Sequence, residues 1–320
     1  MSTEATAASS SAANTYRVHT QLDGLAMTLV IMLCLTWGLN QISIKVANHG
    51  LQPVFQSGLR FAIGSVIVFG WCVFRRVRLF DRDGTLPGGV IAGILFGVEF
   101  AMMAIALEYT TAARGVIFIY TMPFFVAIGA HLFVPGERMT AAGFLGLVLA
   151  FSGVVIVFFD DASVPGPMAI WGDILSVIAG LLWAATTIVI KTTPLKSAAP
   201  EKVLLYQLVV AGIVLLPVAP AFGPLIREIT PAVVAAFTFQ ILLVVSVTFL
   251  VWFWLIRHYP AARLTSFTFL TPVFGVLFGG LLLGEPIGLR LPIALVLVAL
   301  GIYLVNRPAT APPVAPVPKP

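Results

Sequence analysis

Apolar residues along the chain come in runs of about twenty, separated by short stretches that hold nearly all the charges. Ten such runs lie near Leu25–Ala47, Pro53–Phe74, Gly88–Leu107, Thr111–Phe133, Thr140–Phe159, Met168–Ile190, Lys202–Phe222, Pro231–Ile256, Ala261–Leu283 and Gly288–Val305. Roughly 20 residues of helix cross the ~30 Å of hydrocarbon in a bilayer. Backbone groups find no water there, so each run must satisfy its own hydrogen bonds as helix. The pattern predicts an all-α integral membrane protein with ten transmembrane helices. Residues 1–24, rich in Ala, Ser and Thr, and 307–320, rich in Pro and Ala, read as disordered tails. The first of these lacks the apolar core of a cleaved signal peptide.

The runs repeat one another. "YTTAAR" (Tyr109 to Arg114) opens the fourth and "YPAAR" (Tyr259 to Arg263) opens the ninth. Each continues through a central proline, Pro123 or Pro272, to a Gly-Glu pair, Gly136-Glu137 or Gly284-Glu285. "WGLNQISIK" (Trp37 to Lys45) in the first run matches "WAATTIVIK" (Trp183 to Lys191) in the sixth. Five helices is an odd number, so the second copy enters the membrane from the opposite side. The chain therefore reads as two inverted five-helix repeats, 25–159 and 168–306. Such repeats are characteristic of secondary transporters, because two copies of one fold supply similar outward-facing and inward-facing states.

Composition agrees: 59% of residues are hydrophobic, 10% are charged, and mean hydropathy is +1.04. Of 18 Lys and Arg residues, thirteen fall on the side of the N-terminus and four on the other, with Arg60 inside the second run. The positive-inside rule then puts both termini in the cytoplasm of a multi-pass inner (plasma) membrane protein. The net charge of +5 reports this topology, and no basic patch with interleaved aromatics points to nucleic acid. Cys34 and Cys72 lie inside apolar runs and give no disulfide framework. A membrane-embedded enzyme is the rival of a different class, but the chain carries no HExxH, GxSxG or Cys cluster. A channel would want rings of pore-lining groups, which are not evident.

In its five-plus-five helices, the Trp-Gly of the first helix, "YTTAAR" and "YPAAR", the "MPF" and "TPV" prolines and the "GE" after each, the chain resembles the EamA type of the drug/metabolite transporter superfamily. The resemblance covers about residues 25 to 306. It implies an exporter of amino acids, metabolites or cationic drugs driven by an ion gradient or exchange, without a cofactor. The expected partners are a small-molecule substrate, the lipid bilayer and protons as coupling ion, with the protein a monomer or homodimer. A nucleotide-sugar or sugar-phosphate exchanger is the alternative carrier, disfavoured by the lack of Lys and Arg in the inner half of the expected cavity.

Polar groups inside hydrocarbon are costly and tend to be functional. Asn40, Gln41, Arg60 and Glu99 all fall roughly 9 to 14 Å below the outer surface at 1.5 Å per residue. Gly89, Gly93 and Gly97 form a small-residue packing stripe on helix three. Glu99 points about 200° away from Gly97, which favours a central cavity over a packed face. It reads either as a proton acceptor or substrate-ammonium partner, or as half of a structural ion pair with Arg60. The second repeat substitutes Thr186, Thr187, Gln207 and Phe249 at the positions of Asn40, Gln41, Arg60 and Glu99. Trp37, Trp183, Tyr120 and Phe269 sit in helices that line the central pathway of the proteins resembled, where they suit an apolar or cationic substrate body. Asp173 reads as interfacial, and Lys45 and Lys191 as snorkelling. Pro123 and Pro272 are candidate hinges.

Overall fold

The computed structural model describes residues 21–106, 109–110, 112–159, 166–283 and 289–307, without the side chains of Lys45, Ala112, Ala113, Val157 and Leu283. Most of both expected tails, and Glu285, lie outside these residues.

Local signals place the helix starts. In α1 (Gly24–Asn48), the Asp23 carboxylate accepts from the Ala26 N–H at 2.8 Å and caps the first turn. Proline begins α2 (Pro53–Phe74), where its fixed φ is already helical and its missing N–H costs nothing. α3 (Thr85–Ala106) follows. The fourth leg is broken: α4 (Ala112–Ile119) stops and α5 (Met122–Phe133) resumes. Pro123 explains the position, since its ring clashes with the carbonyl four residues earlier, that of Ile119. α6 (Ala141–Phe158) completes the first repeat.

The second repeat holds α7 (Ala169–Thr192), α8 (Pro200–Val218), α9 (Pro231–Phe239) and α10 (Phe249–His258). It continues with α11 (Ala261–Phe267), α12 (Leu270–Leu283) and α13 (Arg290–Asn306). The break between α11 and α12 again lies four residues before a proline, Pro272. Between α9 and α10 the leg runs as a nine-residue π-helix, Gln240–Thr248, which the apolar pattern did not foretell. Ten legs result. Eight are long and apolar enough to span a membrane, and α6 and α13 are shorter apolar helices.

The helix pairing repeats under exchange of the two halves. α1 packs on α12 as α7 packs on α5, while α2 pairs with its counterpart α8 and α6 with its counterpart α13. The α6 and α13 backbones approach closely: a Cβ on Gly301 would lie 2.4 Å from the Gly146 carbonyl oxygen. The α3 stripe seats on α8, with Gly89 against the Tyr206 ring and Gly97 against Ala211. Glu99 thereby turns to the opposite side.

Candidate functional site

The legs enclose a cavity of about 270 Å³ between the two repeats. Trp37, Asn40 and Gln41 of α1, Arg60 of α2, Glu99 of α3, Tyr120 at the α4–α5 break, and Trp183 and Thr187 of α7 all line it. Phe269 does not. It is fully buried behind Tyr120, the ring centroids 6.3 Å apart, because it falls in the α11–α12 break and packs toward Phe151 of α6.

The walls are aromatic. Trp37 meets Trp252 edge-on at 5.3 Å, and Phe61, Phe96 and Phe100 form a triad with centroids 4.9 to 5.1 Å apart. Trp37 Nε1 donates to Thr248 Oγ1 at 2.9 Å, tying the α1 wall to the π-helix. Arg60 and Glu99 share the cavity but form no ion pair with each other. The reason lies in the neighbours of Arg60. Its guanidinium lies over the rings of Phe61 and Phe100, 4.9 and 5.1 Å from their centroids, and Nη1 donates to Gln240 Oε1 at 3.2 Å. Gln240 is itself held by Gln56 and by the Ser43 carbonyl. Glu99 Oε2, Asn40 Oδ1 and both amide atoms of Gln207 are buried without partners among the described residues.

Gln240 was missed in the sequence, although a lone glutamine deep in the Pro231–Ile256 run was a readable signal. Asp173, in the first turns of α7, is 7% exposed and accepts from Thr110 Oγ1 at 2.9 Å and from Arg114 Nε at 3.1 Å, with Arg114 Nη2 on its other oxygen. A cation at a helix start opposes the helix dipole, and this carboxylate offsets it. Lys191 does not snorkel. Its Nζ donates to Glu137 Oε1 at 2.7 Å and to the Tyr259 carbonyl at 2.5 Å, and Glu137 Oε2 accepts from the Ala261 N–H at the start of α11 at 2.8 Å. The Tyr259 hydroxyl donates to Asp23 at 2.8 Å, and burial, with that carboxylate beside it, pushes the phenol up to about 12. This network ties the two repeats together on the face where α1 begins and α13 ends.

An all-helical membrane bundle with a polar, aromatic cavity between two related halves defines a small-molecule transporter. The EamA-like transporter family matches twice, over residues 24–159 and 170–307, and the chain belongs to that family. Among relatives, it is 26% identical over 277 residues to the "Uncharacterized transporter YoaV" of Bacillus subtilis, covering 86% of this chain and 94% of that one. It is 28% identical over 298 residues to a "Probable amino-acid metabolite efflux pump" of Salmonella typhimurium, covering 88% and 94%. A crystal structure covering 88% of this chain and 98% of its own matches with a TM-score of 0.76 at 18% identity, a likeness of fold.

Proposed function

We propose that this transporter is a secondary active carrier that exports small amphipathic metabolites, amino acids or related compounds, across the inner membrane. Residues 25–159 and 168–306 would rock about the shared cavity, with both termini in the cytoplasm. The carrying observation is the cavity itself: Glu99, Asn40 and Gln207 present buried, unpartnered polar atoms among the rings of Trp37, Phe96, Phe100 and Trp252. Unpaired buried polar groups are costly, so their persistence favours a ligand that pairs with them. The amino-acid metabolite efflux named for the Salmonella relative fits this surface. Glu99 serves as proton acceptor or as partner of a substrate ammonium. A sugar-phosphate exchanger fits less well, since Arg60 is the one Lys or Arg side chain among the described residues lining the cavity.

The test is counterflow of labelled amino acids and lipophilic cations in proteoliposomes, with and without an imposed pH gradient. Wild type should exchange at least one compound and respond to the gradient. Glu99→Gln should keep exchange and lose that response. No exchange of any compound by folded wild type would refute the carrier reading. An unaltered gradient response in Glu99→Gln would remove Glu99 from coupling.

A further inference from the structure

Arg60 is 4% exposed and sits where hydrocarbon surrounds the bundle. A guanidinium stays charged in a protein, and a buried charge is stable only when paired and hydrogen-bonded. Yet no carboxylate pairs with it among the described residues, and its contacts are one amide oxygen and two ring faces. The distribution of those contacts over the guanidinium is informative. Nη1 is occupied by Gln240, whereas Nε is buried without a partner and no hydrogen bond to Nη2 is formed. Nε and Nη2 share one edge of the planar group, the edge that takes a carboxylate with two parallel hydrogen bonds. Gln240 fixes the opposite side and is held in turn by Gln56 and Ser43, so the fork is oriented before any ligand arrives.

We propose that Arg60 is an anion subsite of the cavity and that it takes a single carboxylate on the transported molecule, whose apolar body lies against Phe96, Phe100 and Trp37. This rests on the carrier reading above and narrows its substrates to carboxylate-bearing ones. A monoanion fits better than a phosphate dianion. The lining offers one described cation, too few for two negative charges. Gln240 is a positioning residue that acts through Arg60.

Purified protein in detergent is titrated with 3-phenylpropionate and with its neutral isostere 3-phenylpropanamide. Tryptophan fluorescence is followed, since three of the six tryptophans, Trp37, Trp183 and Trp252, line the cavity. Wild type should bind the carboxylate at least about tenfold more tightly than the amide. Arg60→Gln should bring that ratio near one, and Arg60→Lys should keep part of it. Gln240→Leu, which leaves the charge but frees the fork, should lower the ratio severalfold, and it carries the test if Arg60→Gln fails to fold. No preference in wild type, no binding of either probe, or a preference unchanged in Arg60→Gln and Gln240→Leu would overturn the proposal. The two readings fail separately. Carboxylate preference with no counterflow of any compound removes the carrier reading alone, whereas counterflow with a ratio indifferent to Arg60 removes the subsite alone.

Discussion

Trp37 and Phe269 are both large aromatics of the bundle interior, but their surroundings differ. Trp37 faces the cavity, braced by Thr248 and Trp252, whereas Phe269 is sealed between Tyr120 and Phe151. Phe269→Ala should therefore destabilise the protein, by about 3–5 kcal/mol if the space does not collapse, and lower its melting temperature in detergent while leaving ligand affinity within about twofold. Trp37→Ala should lower both quantities: the melting temperature, because the ring is buried, hydrogen-bonded and packed on Trp252, and the affinity for aromatic ligands by about tenfold, as loss of a ring contact and its buried area implies. Thermal unfolding and fluorescence titration of the two variants distinguish the roles. The position of Phe269 was not legible in the sequence because it sits between α11 and α12, where helical periodicity is interrupted and 100° per residue no longer predicts direction. Glu99 was legible for the converse reason. It lies on an unbroken helix two residues past the stripe of glycines whose packing on α8 fixes the rotation of α3.

The duplicated breaks of α4–α5 and α11–α12 were readable from their prolines, but what the broken ends do was not. Glu137 lies beyond α5, yet its carboxylate joins the end of α7 to the start of α11 through Lys191 and the Ala261 N–H. Nothing in a local pattern reports a contact across 124 residues. The arrangement gives Glu137 two tasks, pairing a buried ammonium and capping a helix whose dipole favours an anion at that end. Removing one partner of a buried pair costs about 3–5 kcal/mol, enough to shift an open–closed equilibrium more than tenfold. Lys191→Met or Glu137→Gln should thus loosen the cavity end beside Ile190. A cysteine placed at Ile190 should then react with a membrane-impermeant maleimide, added from the face where α1 begins and α13 ends, at least about ten times faster than in the parent. The charge-swapped pair Glu137→Lys with Lys191→Glu should not restore protection, because a lysine at the α11 start opposes the helix dipole. Full protection in the swap would mean that the ion pair alone closes this end. The π-helix Gln240–Thr248 had no comparable signal. Its wider turn sets the angle between Gln240, which meets Arg60, and Thr248, which meets Trp37, away from the one that 3.6-residue periodicity gives.

The ten legs among the described residues bring the start of α1 and the end of α13 to one face of the molecule, and the Glu137–Lys191 network lies on that same face. The cavity lining instead reaches toward the opposite face, through Ile44 and Asn48 at the end of α1 and Pro53 at the start of α2. The number of legs was legible because hydrocarbon thickness and backbone hydrogen bonding leave a polypeptide few choices. Which face meets the cytoplasm is decided by something outside the fold, the bias of thirteen Lys and Arg against four between the two faces. That bias predicts cytoplasmic termini, and with them a cavity sealed toward the cytoplasm in the conformation described. A fluorescent protein that matures only in the cytoplasm should glow when fused after Pro320. Alkaline phosphatase, active only outside, should be active when inserted between Gly223 and Thr230, in the loop between α8 and α9, and inactive when inserted near Arg78, between α2 and α3. The reverse pattern would turn the molecule over, so that the Glu137–Lys191 network closes the outer end and the cavity opens inward. Turning the molecule over would change neither the helix pairing nor the cavity, and only the direction in which this conformation faces would be exchanged.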